Sequence, residues 1–300
     1  MSLSWNGEQA LYSNGSHLQS QFTPDPGSTA VDFVYFNKRP TVQTIAQLEA
    51  LARTLEVDGF DLCVRPGYLV EPATAGDRLA AVVRQLSDGG LSVPLVTAPA
   101  DFIDPTAAET KALIAAAGAA GVPRLKIGYY YRDGSPYAAQ IDTIRRALTA
   151  FGELGRRHHV KIMYHTHQGC IGHGAAVLAN LLRDQDPAHL GAYLDTGHLW
   201  LTREPWADAL DMVTPFLSAI GIKDVTCKVA AGRVTNEVLW PPTGEGLVDW
   251  PLVMGELKKR NFDGPISVHA QYLKSMDPST ADLGRIAAEV AYLRQLADGV

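Results

Sequence analysis

Two histidines separated by one threonine follow a short apolar run in the stretch IMYHTHQGC, residues Ile162–Cys170. Side chains on a strand alternate between its two faces, so His165 and His167 would point to the same side. An imidazole can exchange protons near neutral pH and can bind a transition metal through a neutral ring nitrogen. The pair therefore predicts either proton transfer or metal binding, and two satisfied core histidines are the structural alternative.

The elements around this pair indicate where such a strand would lie. From residue 31 onward, short β-branched or aromatic runs alternate with longer helical patterns, in eight strand–helix units. This alternation is typical of a parallel sheet, and eight units predict a closed barrel. The sequence thus predicts an α/β protein with a single (β/α)8 TIM barrel over residues 31–300. The predicted strands are residues 31–36, 59–64, 92–98, 124–131, 160–165, 191–195, 218–224 and 264–270.

The first thirty residues differ in composition from the rest of the chain. Residues 1–30 are polar and rich in Gly, Ser and Pro, without the basic-then-apolar plan of a signal peptide, so they predict an N-terminal arm. A doubly wound open sheet is the alternative to the barrel. It is disfavoured because no G-x-G-x-x-G phosphate loop follows the first predicted strand.

Polar side chains stand at the C-terminal ends of six predicted strands, where the active sites of such barrels lie. We expect these residues to meet at one rim: Arg65, Lys126, His165, His167, Asp195, His198, Lys223, Asp224, His269 and Gln271. Tyr164 and Trp200 lie beside them in sequence, and Trp200 is placed to stack on a sugar ring. The structural alternatives are ion pairs for the charged residues and a capped turn at Asp195.

Four segments resemble a known family. They are GFDLCVRPG (residues 59–67), LDTGHLW (194–200), IKD (222–224) and GEGLVDWPLVMGELKKRNFDGPISVH (244–269). In their order and strand positions they resemble the xylose isomerase-like TIM barrel superfamily, in its sugar phosphate isomerase/epimerase-like branch. The resemblance covers most of residues 31–300 and implies the barrel fold independently of the periodicity.

The resemblance also implies a divalent metal. The better-known members hold one with Glu, Asp, His and Glu from strands five to eight. Asp195 matches the second position, whereas His165 stands at the first, Gly221 at the third and His269 or Gln271 at the fourth. His165, Asp195 and His269 would then form a three-ligand site for Mn, Zn or Fe.

The reaction implied by the resemblance is isomerisation or epimerisation of a keto-sugar or sugar phosphate, by proton transfer next to a carbonyl. We expect His167, His198, Lys223 and Asp224 to be catalytic, and Arg65, Lys126, Tyr164, Gln271 and Trp200 to bind substrate. One alternative is a lyase or dehydratase acting on a keto-sugar, an inositol or a 3-keto-glycoside. The other is a catalytically inactive barrel that only binds carbohydrate.

Composition excludes several partners. The net charge is −6, and the basic clusters are as short as LKKR at residues 257–260, which disfavours nucleic acid. No apolar run approaches the roughly 18 residues of a membrane helix. Three widely spaced cysteines argue against a disulfide framework and indicate a reducing, cytoplasmic setting. The expected partner is a small carbohydrate, and a homo-oligomer stays open.

Overall fold

The computed structural model describes residues 31–275 and 282–299, so the predicted arm over residues 1–30 lies outside the described residues. The strands are β1 (Phe33–Phe36), β2 (Gly59–Cys63), β3 (Ser92–Thr97), β4 (Arg124–Lys126), β5 (Lys161–His165), β6 (Leu190–Asp195), β7 (Leu217–Ile222), β8 (Thr226–Ala230), β9 (Arg233–Leu239) and β10 (Ile266–Val268). The α-helices are α1 (Ile45–Leu55), α2 (Ala75–Asp88), α3 (Ala108–Ala119), α4 (Tyr137–His158), α5 (Ala175–Leu182), α6 (Thr196–Thr202), α7 (Trp206–Val213), α8 (Trp250–Lys259) and α9 (Leu283–Gly299).

Eight parallel strands close into a barrel, which confirms the predicted fold class. Their order around the barrel is β1-β10-β7-β6-β5-β4-β3-β2, because β1 pairs with β2 on one side and with β10 on the other. The helices pack outside this barrel. The last helix, α9, packs on the barrel through Ile286, Val290 and Leu293, which are buried.

The apolar core has two layers, one inside the barrel and one between the barrel and its helices. The inner layer is small: Val34, Leu95, Met163, Tyr193 and Ala219. The outer layer holds most of the buried aliphatic and aromatic side chains. Alternation along a strand decides which layer a side chain joins. It also decides which residues at the strand ends can face the barrel mouth.

Two elements differ from the prediction. The long loop expected after strand seven contains an exposed antiparallel hairpin, β8–β9, whose turn has positive φ at Ala231 (50°) and Gly232 (72°). Two successive residues with positive φ match the right-handed twist of a hairpin. In addition, β7 ends at Ile222, so Lys223 and Asp224 lie just beyond the strand. Among the described residues, no helix is both long and apolar enough to cross a membrane.

Candidate active site

A buried ion pair lies at the centre of the barrel mouth. Asp195 ends β6 and Lys223 follows β7, and Lys223 Nζ lies 2.8 Å from Asp195 Oδ2. The other oxygen, Oδ1, accepts a hydrogen bond from His198 N at 3.1 Å and so caps α6. Burial would raise the pKa of the Asp195 carboxyl, but Lys223, His198 and His269 hold it at about 2. Asp195 is therefore an anion at neutral pH.

His165 contacts the same carboxylate from the neighbouring strand β5. Its Nε2 lies 3.4 Å from Asp195 Oδ2, and its Nδ1 lies 2.8 Å from the hydroxyl of Tyr129. Burial lowers the pKa of His165 well below its usual value, and the nearby Lys223 and Lys126 lower it further. The ring is thus a neutral imidazole held between a phenol and a carboxylate.

His167 is the more accessible of the two histidines singled out by the sequence. The rings of His165 and His167 are 6.2 Å apart between centroids. His167 Nδ1 donates to the Gln168 carbonyl at 2.8 Å, which leaves the lone pair of the neutral ring on Nε2. Burial, followed by Lys223, lowers the pKa of His167 to about 4. A neutral imidazole with a free Nε2 lone pair is a group that can accept a proton.

His198 connects His167 to the ion pair. Its ring lies 4.2 Å from that of His167, its Nε2 accepts a hydrogen bond from the Lys223 ammonium at 3.0 Å, and its Nδ1, which then carries the ring proton, lies 3.2 Å from Gln168 N. Burial, with Lys223 next in order, lowers the pKa of His198 well below its usual value. These contacts make His198 a positioning residue for Lys223.

A buried hydrogen-bond chain that the sequence did not predict lies beneath His269. His269 Nε2 is 2.9 Å from the hydroxyl of Tyr193, which donates to Asp61 Oδ2 at 3.1 Å. Asp61 also accepts from the hydroxyls of Thr97 (2.6 Å) and Ser267 (3.1 Å). Burial raises the pKa of Asp61 to about 6, against the lowering effect of these hydroxyls. The signal in the sequence was an inward-facing aspartate within the strand GFDLC.

Two predicted site residues, Tyr164 and Trp200, lie away from this cluster. Tyr164 neighbours His165 on β5 and so faces the helices, where its hydroxyl donates to the Ile171 carbonyl at 2.6 Å. Trp200 stacks on the Arg203 guanidinium at 3.7 Å instead. The tryptophan that contacts the cluster is Trp240, whose ring lies 4.9 Å from that of His198.

The carboxylate of Asp224, predicted to be catalytic, is occupied by contacts with a neighbouring loop. It accepts hydrogen bonds from a loop that follows the hairpin, through the backbone N–H groups of Gly244, Gly246 and Val248 and the indole of Trp250. Every lone-pair direction of a carboxylate is used by such a set. Asp224 therefore holds the loop that leads into α8.

The remaining predicted residues, Arg65, Lys126 and Gln271, lie around the cluster. Lys126 is fully buried, with Nζ 3.5 Å from the centre of the Tyr129 ring. Arg65 lies over Phe36, its guanidinium carbon 5.9 Å from the ring centre. Gln271 begins a short 3-10 helix and lines a small pocket beside His269.

The comparison with known families agrees with the barrel fold. A family model described as xylose isomerase-like TIM barrel matches residues 49–296. The chain belongs to this family. It is 26% identical over 151 residues to the inosose dehydratase of Lactiplantibacillus plantarum, a match that covers 47% of this chain and 49% of that one. The matched region thus spans about half the length of the curated relatives.

Solved structures show the same fold at low identity. A D-tagatose 3-epimerase-like protein is 16% identical with a TM-score of 0.68, covering 89% of this chain and 97% of that one. The 3-keto-D-glucoside 4-epimerase of E. coli in its apo form is 14% identical with a TM-score of 0.67, over 89% and 100% of the two chains. A family member from Mycobacterium smegmatis in complex with magnesium is 16% identical with a TM-score of 0.61, over 85% and 88%.

A divalent metal does not fit the described arrangement, although one feature favours it. His165 Nε2 is buried without a hydrogen-bond partner among the described residues, and His269 Nδ1 lies 3.8 Å from Asp195 Oδ2. However, an ion about 2.1 Å from Asp195 Oδ2 would lie beside an ammonium group already 2.8 Å from that oxygen. Gly221 offers no side-chain donor. Within residues 31–275 and 282–299, no group of three or more His, Cys, Asp or Glu side chains is arranged to hold a metal ion.

Proposed function

We propose that the protein is an isomerase or epimerase that moves a proton next to the carbonyl group of a keto-sugar. The observation that carries the proposal is the contact of the His167 ring with His198, 4.2 Å away between centroids, because His198 Nε2 in turn lies 3.0 Å from Nζ of Lys223 in the buried Lys223–Asp195 pair. Enolisation requires a base and a cation in one site, since negative charge moves from the carbon to the carbonyl oxygen.

In this mechanism His167 takes the proton from the carbon next to the carbonyl, and the electron pair of that C–H bond moves onto the carbonyl oxygen. Lys223 stabilises this oxygen by its charge. Asp195 and His198 hold Lys223 in place through the contacts of 2.8 and 3.0 Å. Return of the proton to the opposite face of the same carbon gives the epimer. Return to the neighbouring carbon, with transfer of the hydroxyl proton, gives the isomer.

We also propose that the ammonium group of Lys223 polarises the carbonyl. It would take the role of the Mn, Zn or Fe ion that the resemblance implies. The charge balance supports this assignment. Asp195 is the only carboxylate in the group formed with His165, His269 and Lys223, and Lys223 already neutralises it. A divalent ion would add two positive charges to a buried group whose single carboxylate is already paired with Lys223.

A dehydratase is the second candidate, and the curated inosose dehydratases favour it. The first step would be the same proton abstraction. The enolate would then expel a hydroxyl group from the adjacent carbon as water, taking up one proton, and leave a carbon–carbon double bond. The contacts of His167 and Lys223 suit both reactions.

Incubation with keto-sugars in deuterium oxide tests the proposal. Nuclear magnetic resonance should show deuterium next to the carbonyl, in an isomer whose mass has increased only by the deuterium taken up. An unsaturated product that absorbs ultraviolet light would assign the dehydratase instead. If the protein bound keto-sugars but neither exchanged their hydrogen nor converted any of them, the proposal would be wrong. The inactive carbohydrate-binding barrel would then be the remaining alternative. Three free cysteines, Cys63, Cys170 and Cys227, support the cytoplasmic setting that we include in the proposal.

A further inference from the structure

Three buried nitrogen donors at the barrel mouth have no acceptor. Asn37 Nδ2, Arg65 Nε and Lys126 Nζ make no hydrogen bond to any described residue. Asn37 follows β1, Arg65 follows β2 and Lys126 is the last residue of β4. All three therefore lie at the C-terminal side of the barrel. A buried donor without a partner is costly, and native structures keep few of them. Three together indicate a ligand rich in oxygen atoms.

Positive charge gathers around the same three donors. Lys38 and Arg39 follow β1 and line a small pocket with Phe36, His269, Ala270 and Gln271. Among the described residues, no carboxylate pairs with Lys38, Arg39, Arg65 or Lys126 within 4.0 Å. Burial, and next the neighbouring Arg65, lowers the pKa of Lys38 to about 8. The chain as a whole has a net charge of −6, so this concentration of cations is a local exception.

The pocket adjoins the proposed reaction centre. His269 lines the pocket and also lies 3.8 Å from Asp195 Oδ2 through its Nδ1. Phe36, on the other wall, packs on His269 with ring centroids 5.0 Å apart. A substrate whose carbonyl lies at Lys223 would therefore place a group a few atoms away in the pocket of Lys38 and Arg39.

We infer that the pocket between β1 and β10 binds an anionic group of the substrate, and that the substrate is a keto-sugar bearing a phosphate ester or a carboxylate. The inference rests on the proposed function. Lys38 and Arg39 line the pocket and would pair with the anion. A neutral sugar would leave these cations uncompensated.

Direct binding tests this inference without any turnover. Isothermal titration calorimetry at low salt compares inorganic phosphate, acetate and glycerol on the wild type, on a Lys38→Met/Arg39→Gln double variant and on Lys111→Met. Lys111 is an exposed lysine on α3 and serves as the matched charge control. Thermal unfolding of each variant confirms that it is folded. We expect saturable binding of phosphate or acetate, weakened at least about tenfold in the double variant and unchanged in Lys111→Met.

Comparing phosphate with acetate distinguishes a phosphate ester from a carboxylate as the anionic group of the substrate. Tighter binding of phosphate assigns a phosphorylated substrate, and tighter binding of acetate assigns a carboxylate. The inference is overturned if neither anion saturates the wild type, or if the folded double variant binds as tightly as the wild type. Failure of the proposed function looks different, because phosphate or acetate would bind while no keto-sugar exchanged its proton with solvent.

Discussion

Lys223 Nζ lies 2.8 Å from Asp195 Oδ2, and both side chains are buried beneath the mouth of the barrel. The pair joins β6 to the end of β7, and His165, His198 and His269 are arranged around it. A buried ion pair of this kind is costly to break, because removal of one partner leaves the other charged and without compensation. It is also where a developing negative charge would find its counter-charge.

Removing one partner of this pair should destabilise the fold more than replacing both partners together. Lys223→Met keeps the length of the side chain but leaves Asp195 buried without its cation, and we expect a loss of about 3–5 kcal/mol in the free energy of unfolding. Lys223→Met combined with Asp195→Asn should recover most of this loss. Urea unfolding of the two variants and the wild type measures the difference. If Lys223→Met proved as stable as the double variant, the prediction that Asp195 depends on the charge of Lys223 would be wrong.

Metal binding tests whether Lys223 replaces a divalent ion. We expect protein purified without chelators to contain no stoichiometric Mn, Zn or Fe, and calorimetric titration with Mn²⁺ or Zn²⁺ to show no saturable 1:1 binding. The physical reason is the ammonium group 2.8 Å from the single carboxylate. Mass spectrometry of the metal content makes the measurement, with Asp195→Asn as the control. A bound metal that disappears in Asp195→Asn would show that the assignment of Lys223 is incorrect.

The buried carboxyl of Asp61 should make stability depend on pH. Its pKa is raised from 3.8 to about 6 in the folded state by burial, so the folded protein holds a proton there that the unfolded chain has lost. Stability contributed by this proton is present at low pH and is lost as the pH rises through about 6. Between pH 4.5 and pH 7 the loss is about 2 kcal/mol.

Asp61→Asn removes this titration and is the matched variant. The difference in free energy of unfolding, variant minus wild type, should increase by about 2 kcal/mol as the pH rises from 4.5 to 7. Denaturant unfolding at the two pH values gives the comparison. The account of Asp61 fails if the variant and the wild type respond to pH in parallel.

Asp224 should behave as a structural residue. Asp224→Ala removes the acceptor of four backbone N–H groups, those of Val225, Gly244, Gly246 and Val248, and of the Trp250 indole. Leaving buried donors unpaired costs about 1–3 kcal/mol each. Asp249→Ala, which removes only the N-cap of α8, should cost about 1 kcal/mol. Thermal and urea unfolding rank the two variants. Equal losses would mean that the loop does not depend on Asp224.

The sequence predicted the barrel and the direction of the paired histidines, because both depend on periodicity. Eight short apolar runs alternate with helical patterns, and the two-residue step from His165, the last residue of β5, to His167 leaves their rings 6.2 Å apart between centroids. The same alternation along the strand explains why Tyr164, predicted to bind substrate, does not face the barrel mouth. It lies one residue from His165 and therefore faces the helices, where it contacts Ile171.

Other features depend on contacts between distant parts of the chain, which spacing does not reveal. Asp61 and Tyr193 lie 132 residues apart in sequence and meet inside the barrel. Asp224 has the sequence position of a site residue, but its partners come from the loop about 20 residues later. The hairpin β8–β9 was missed because its residues are exposed and its turn is formed by Ala231 and Gly232 without an Asn-Gly or Asp-Gly signal.

The most direct test of the central claim is the exchange of substrate carbon-bound hydrogen with deuterium oxide, measured for the wild type, His167→Gln and His189→Gln. His189 precedes β6 at the opposite end of the barrel from Asp195 and serves as the matched histidine control. We expect His167→Gln to slow exchange by about 100-fold or more, the usual contribution of a positioned general base. His189→Gln should exchange at the wild-type rate. Exchange at the wild-type rate in folded His167→Gln would show that another group moves the proton.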